Sequence, residues 1–201
     1  MKIKLVIIYI VITLMCLLTS CSDANTEDEI YGKLTSLADE EYSQITVTVA
    51  TEHLLGTLKN EYQIEYISDS QMDVTYHEEE FSLFEKENGD YILPANGIRY
   101  RQGSISVKNG VLTEQHGATA IADVSQIGTP SFSFEESFFS NVSASEGSFS
   151  ADIDDVKGFF GSSIAGTDFT LEVVYGEKLQ TLVIAYVSPK KSNTSIQYRF
   201  E

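Results

Sequence analysis

From Ile45 onward the chain alternates. Ile45, Val47 and Val49 fall on one side of an extended backbone, and Thr46, Thr48 and Ala50 fall on the other. Successive side chains of a strand point to opposite faces, so this period of two predicts a half-buried strand. Tyr62, Ile64 and Tyr66 repeat it, as do Val74 and Tyr76. Leu54 to Leu58 is ambiguous, with a helical turn among its readings. The C-terminal stretch is clearer. Phe169, Leu171, Val173 and Tyr175 alternate, Gly176-Glu177-Lys178 turns the chain, and Leu182, Ile184 and Tyr186 alternate again. After a loop over Ser188 to Thr194, Ile196, Tyr198 and Phe200 finish a three-strand antiparallel meander. Its middle strand also carries Val183, Ala185 and Val187, so it is expected to be central and covered on both faces.

Turn chemistry sharpens the picture. Asn88-Gly89, Asn96-Gly97 and Asn109-Gly110 are three Asn-Gly pairs. Type I′ hairpin turns need positive φ at both central residues, which Asn and Gly tolerate. Ser104 to Lys108, Asn109-Gly110 and Val111 to Thr113 therefore predict a hairpin. Thr119 to Ile127 is a further candidate strand. Pro130 and the Ser/Gly-rich segment Ser140 to Ser150 read as edges or loops, with Phe132, Phe134, Phe138 and Phe139 as apolar anchors. Ser36, three residues before Asp39, resembles a helix N-cap and predicts a short helix from Leu37 to about Tyr42. Asp152 to Gly158 resembles a capped helical turn ended by its glycine. No repeat of fixed period stands out. The expected fold is mainly β (α+β): one domain built on a large curved antiparallel sheet, a half-barrel or sandwich, with one or two short helices.

The first residues follow different rules. Lys2 and Lys4 precede an apolar run from Leu5 to Leu18, and Leu18-Thr19-Ser20-Cys21 ends it. A charged start, a core of about 7–15 apolar residues and small residues at the cut define a secretory signal. A spanning helix needs about 20 apolar residues, so this run is short for one. A plain secretory signal cut near Ser20, or a retained short anchor, would leave Cys21 unexplained. Leu18, Thr19, Ser20 and Cys21 resemble the lipobox of bacterial lipoproteins. That resemblance implies a thioether-linked diacylglycerol on Cys21 and cleavage before it. Residues 1–20 would be the signal peptide, 21–30 the lipidated Cys and a flexible acidic tether, and 31–201 the β-rich domain. One acyl chain holds a protein marginally at a membrane, whereas two give stable anchoring. Cys16 lies within the signal and should leave with it. The partner implied is a membrane, reached through the N-terminal diacylglycerol. Ser22, where Asp would signal inner-membrane retention in many Gram-negative systems, leaves an outer membrane open; the outer leaflet of a Gram-positive plasma membrane fits equally.

Charge narrows the partners. The full chain carries 13 basic and 30 acidic residues, for a formal charge of −17. Loss of Lys2 and Lys4 with the signal would make it −19. A polyanion of this size is repelled by nucleic acid and by anionic headgroups, so no nucleic-acid partner is expected. With Cys21 acylated no internal disulfide can form, and stability must come from a packed core. A domain of this length buries roughly 70% of its unfolded surface. Trp is absent, whereas Tyr and Phe number 11 each.

Candidate chemistry is thin. The three histidines are His53, His77 and His116. His77-Glu78-Glu79-Glu80 invites a metal reading. On a strand, however, only His77 and Glu79 share a face, and two ligands are too few for a closed zinc site. The expectation there is a solvated strand end. Asp152, Asp154 and Asp155 suggest calcium. The EF-hand order would need an acid or Asn where Val156 stands, and helix capping fits better. Asn141 and Asn193 begin glycosylation sequons, which a bacterial lipoprotein would not use. No GxSxG and no phosphate-binding glycine loop with a Lys occurs. No catalytic residue, metal or cofactor is therefore expected, and a binding protein is favoured over an enzyme. Element order and tethering make the body, Tyr31 to Glu201, similar to the lipoprotein carriers LolA and LolB and the mycobacterial LppX/LprG group. That likeness implies a curved sheet around an apolar cavity capped by helices, with a lipid or other apolar ligand; it transfers no site residue. The alternatives are a surface lipoprotein that binds proteins or has a structural role, and a hydrolase or sugar binder.

Overall fold

A computed structural model describes residues 27–81, 84–85, 91–92, 97–120 and 131–201. Helix α1 spans Glu27–Ala38. Strands β1 (Gln44–His53), β2 (Gly56–Ser68) and β3 (Gln71–Phe81) follow, then the short pair β4 (Phe84–Glu85) and β5 (Tyr91–Ile92). Next come β6 (Ile98–Lys108), β7 (Val111–Gly117), a 3-10 turn at Glu136–Phe138, β8 (Phe139–Ser145) and β9 (Ser148–Ile153). Helix α2 (Val156–Phe160) precedes β10 (Thr167–Tyr175), β11 (Leu179–Val187) and β12 (Asn193–Phe200).

Ten of these strands form one open antiparallel sheet, ordered β7-β6-β3-β2-β1-β12-β11-β10-β9-β8. The chain meanders outward from the centre to β7. It then resumes at the far edge with β8 and works back inward to β12. The first and last strands meet at the centre, paired from Ile45↔Phe200 to Thr51↔Thr194. The described residues thus form a single, mostly β domain with two short helices, as the alternation implies.

Register puts the apolar positions on one face. Val47 lies opposite both Tyr62 and Tyr198, Ile64 opposite Val74, and Val74 opposite Ile105. On the other half Leu182 faces Val173, which faces Phe149. All of these are buried. Helix α1 packs its stripe of Tyr31, Leu34 and Leu37, at helical spacing, into the same core. Its C-terminus is tied down by Tyr42, whose hydroxyl donates to the Leu37 carbonyl (2.8 Å) and accepts from the Leu179 amide (3.1 Å). One tyrosine thus satisfies an orphan helix carbonyl and joins helix to sheet.

Several expectations change. The N-terminal helix begins at Glu27, overlapping the acidic segment read as tether, and Ser36 falls in its last turn rather than at its cap. The repeat of apolar residues at Tyr31, Leu34 and Leu37 outweighs the cap-like Ser36. Leu54-Leu55 is no helical turn; it is the apex of the β1–β2 hairpin, closed by the His53↔Gly56 pair. Of the two readings of Ser140 to Ser150, edge holds and loop does not: it is most of the β8–β9 hairpin, with β8 at the sheet edge, burying Phe139, Phe149 and Ala151 and pointing serines outward. Asp152 and Ile153 end β9. Asp155 caps α2 by accepting from the Gly158 amide (2.8 Å), and Gly161 at φ 70 ends the helix instead of Gly158. The second face of β11 is not covered by any described element: Val183, Ala185 and Val187 stay half-buried beside polar β10 and β12 residues. Their neighbours' side chains supply the partial cover.

The hairpin at Asn109-Gly110 forms with φ 52 and φ 72, the positive pair a type I′ turn needs. Asn88-Gly89, Asn96, Pro130 and Thr119–Ile127 from residue 121 on lie outside the described residues, as do Leu18, Thr19, Ser20 and Cys21. Among the described residues no helix is long and apolar enough to cross a membrane.

Candidate functional site

The two faces of the sheet differ in kind. Beneath α1 and α2, rings fill the inner face. Phe159 packs with Phe132, Phe134 and Phe139 at centroid distances of 5.4–5.5 Å. Tyr31 sits on Phe139 and Phe149, and Phe132 meets Tyr198 edge-on at 5.1 Å. Offset and edge-to-face pairs of this kind add to burial. These rings pack against one another beneath the helices.

The outer face of β2, β3, β6 and β7 is open and polar. Register aligns Gln63, Thr75, Ser104 and His116 in one row and Glu61, His77 and Gln102 in the next. These side chains line a groove of about 480 Å³ whose floor includes Gly103 and Gly117. Beside it, exposed Tyr100 lies against His77 at 5.2 Å. Two of the three histidines therefore converge on one surface, although 38 positions separate them in the chain. Only strand order brings them together; neither the row nor the groove is visible in the spacing. The one early sign is that His77 occupies an outward position of an alternating segment; Val111 to His116 shows no alternation. His116 pairs with Glu114 at 3.6 Å, but both side chains are largely exposed and such pairs contribute little. The groove offers amide, hydroxyl and imidazole groups for hydrogen bonding.

His77-Glu78-Glu79-Glu80 proves to be two-sided. His77 faces solvent, whereas Glu78 is 0% exposed on the inner face. The solvated strand end expected here is corrected at that residue. Tyr62 helps make burial tolerable: its hydroxyl donates to Glu78 Oε1 at 2.8 Å. Nearby, Arg101 reaches both carboxylate oxygens of Glu80, the closer at 3.1 Å. Burial pushes the Tyr62 phenol well up, and the Glu78 carboxyl beside it adds to the rise. Burial also raises Tyr198.

The sign follows from proton counting. A phenol with a raised folded pKa keeps its proton longer in the folded chain. Its stabilisation is complete below the unfolded value, about 10, and is lost as pH climbs toward the folded value. Stability should therefore fall above about pH 10, and Tyr62→Phe should flatten that fall. At neutral pH the same variant should cost about 1–3 kcal/mol, because a buried carboxyl loses a donor. Urea titrations at neutral and alkaline pH measure both effects. Equal alkaline slopes in the two proteins would refute the assignment.

The acid cluster at the end of β9 is dispersed. Asp152 accepts from Asn141 (2.6 Å), Asp154 from Ser140 (3.0 Å), and Asp155 caps α2. Among the described residues no group of three His, Cys, Asp or Glu is placed to hold a metal ion. Asn193 donates to Glu52 at 2.9 Å, so both sequon asparagines are engaged with acids. His53 stands edge-on to Phe81, away from the groove.

No family model and no curated protein matches the chain. Among solved structures, the chain is similar to the dehydratase domain from the CurF module of the curacin polyketide synthase. The match covers 86% of this chain and 81% of that one, with 7% sequence identity and a TM-score of 0.20, too low to carry an argument.

Proposed function

We propose that the chain is a bacterial lipoprotein whose β domain works outside the cytoplasm as a binding module. Cys21 carries the diacylglycerol, residues 1–20 are removed, and the domain is held at a plasma-membrane outer leaflet or an outer membrane. The lipobox-like Leu18-Thr19-Ser20-Cys21 after a short apolar run supports the anchoring. The binding reading rests on one observation: the sheet has one face packed with rings and one open face with a polar groove. That asymmetry favours a ligand or surface protein met on the open face over a lipid carried beneath the helices.

Two measurements test this. In its own host, the protein should carry a diacylglycerol-modified Cys21 as its first residue, and Cys21→Ala should move it out of the membrane fraction. An unmodified thiol, or residues 1–20 still attached, defeats the anchoring. Native mass spectrometry of residues 22–201 should give an unliganded mass after expression in a lipid-rich host. Co-purified lipid would restore the carrier reading.

A further inference from the structure

The β1–β2 apex is chemically out of place. Two-residue hairpin turns favour Asn, Gly or Asp, which tolerate the required backbone and hydrogen-bond to water. Here both central positions are leucine. Leu54 is 107% exposed and Leu55 52%, while Gly56 at φ 135 takes the strained position. The turn thus holds two large apolar side chains in solvent.

Its neighbour is equally distinctive. β12 pairs with β1 up to Thr51↔Thr194. From that pair both strands run on toward the same end of the sheet: Thr51 leads to Leu54 in three residues, and Thr194 leads back to Lys191 in three. The β11–β12 turn therefore flanks the leucine apex. It presents Lys190-Lys191, the sole Lys-Lys pair in a chain of net charge −17. Both lysines are exposed. The turn is ordered by Lys191 N–H to the Ser188 carbonyl (2.8 Å) and Ser188 N–H to the Ser192 carbonyl (2.9 Å). The acids closest in sequence register, Glu52 and Asp168, sit back from the apex: Glu52 accepts from Asn193 and Asp168 from Thr167.

We infer that this end of the sheet is a membrane-contacting tip, with Leu54 and Leu55 entering the headgroup–acyl boundary and Lys190 and Lys191 meeting lipid phosphates. Apolar side chains beside lysines suit that boundary. Lys190 and Lys191 put two exposed cations beside the leucines in a chain whose net charge alone would be repelled by anionic headgroups, and the nearby Glu52 and Asp168 are engaged by Asn193 and Thr167. A second copy of this polyanion would be repelled. The tip would add a second hold to the acyl chains proposed at Cys21 and so fix how the domain faces the bilayer; that orientation, not the tip itself, rests on the lipoprotein reading.

The test uses residues 22–201, which keep every described element and lack both cysteines, so that lipidation plays no part. Flotation with phosphatidylglycerol–phosphatidylethanolamine vesicles should recover the protein. Leu54→Asp with Leu55→Asp should lower recovery about tenfold, and Lys190→Glu with Lys191→Glu about threefold to tenfold. On phosphatidylcholine vesicles only the leucine variant should differ from the parent. A dye sensitive to polarity on Leu54→Cys should shift to the blue with vesicles, whereas the same dye on Asp69→Cys, at the opposite end of the sheet, should not. Equal recovery of parent and leucine variant, an unshifted dye at position 54, or a leucine-dependent dimer in vesicle-free solution would each overturn the tip. None of these outcomes bears on whether Cys21 is acylated.

Discussion

Phe159→Ala should destabilise the domain by about 3–5 kcal/mol. Phe159 is 0% exposed and comes from a helix of only 5 residues, far too short to hold itself together. Its ring is the fully buried side chain of α2, touching Phe132, Phe134 and Phe139. Its backbone carbonyl also accepts from the Ser133 amide at 2.9 Å. Truncation would remove apolar burial and leave a cavity walled by three rings that cannot all collapse inward. Phe159→Leu keeps most of the volume and should cost about 1–2 kcal/mol. Urea denaturation of both variants gives the comparison. A loss under about 1 kcal/mol for Phe159→Ala would mean the ring cluster is not the stabilising centre.

Gly103→Ala should cost about 2–4 kcal/mol, unusual for one added methyl group. Gly103 lies in β6 opposite Tyr76 of β3 and Gly117 of β7. A Cβ there would strike the Tyr76 hydroxyl and stand 2.5 Å from the His116 carbonyl. Tyr76 is 1% exposed and its hydroxyl donates to the Ala118 carbonyl, so the ring has nowhere to go without losing that bond. The glycine exists to let a tyrosine cross beneath the sheet edge. Tyr76→Phe in the Gly103→Ala background should therefore recover part of the loss, a coupling that a double-mutant cycle resolves. Additive effects would show that the two residues do not compete for the same space.

Legibility followed burial. Strands with one apolar and one polar side, such as β1, β10 and β12, announce themselves, because water on one face forces alternation. Asn109-Gly110 did so through backbone sterics. β8 and β9 were obscured because their outer face is serine, and serine-rich runs also make loops; the inward Phe149, Ala151 and Ile153 carry the period but are few. Helix α1 was hidden by the acids at its first turn, although Tyr31, Leu34 and Leu37 hold helical spacing. Glu78 defeats any composition rule, since its buried carboxyl takes a partner, Tyr62, from the adjacent strand. The open-face groove was unreadable for the same reason. Gln63, Thr75, Ser104 and His116 are ordinary outward residues until β2, β3, β6 and β7 are set side by side. The leucine apex was visible only as an ambiguity, because an apolar turn contradicts the usual turn chemistry.

The seam between β1 and β12 has a consequence for the order in which the molecule is made. β1 pairs with β2 early, but its other edge stays open until β12 (Asn193–Phe200) is made. Such distant pairing slows acquisition of the native state, since the entropy of closing the intervening loop must be met before the contacts repay it. A chain interrupted partway would carry an open strand edge where its centre should be.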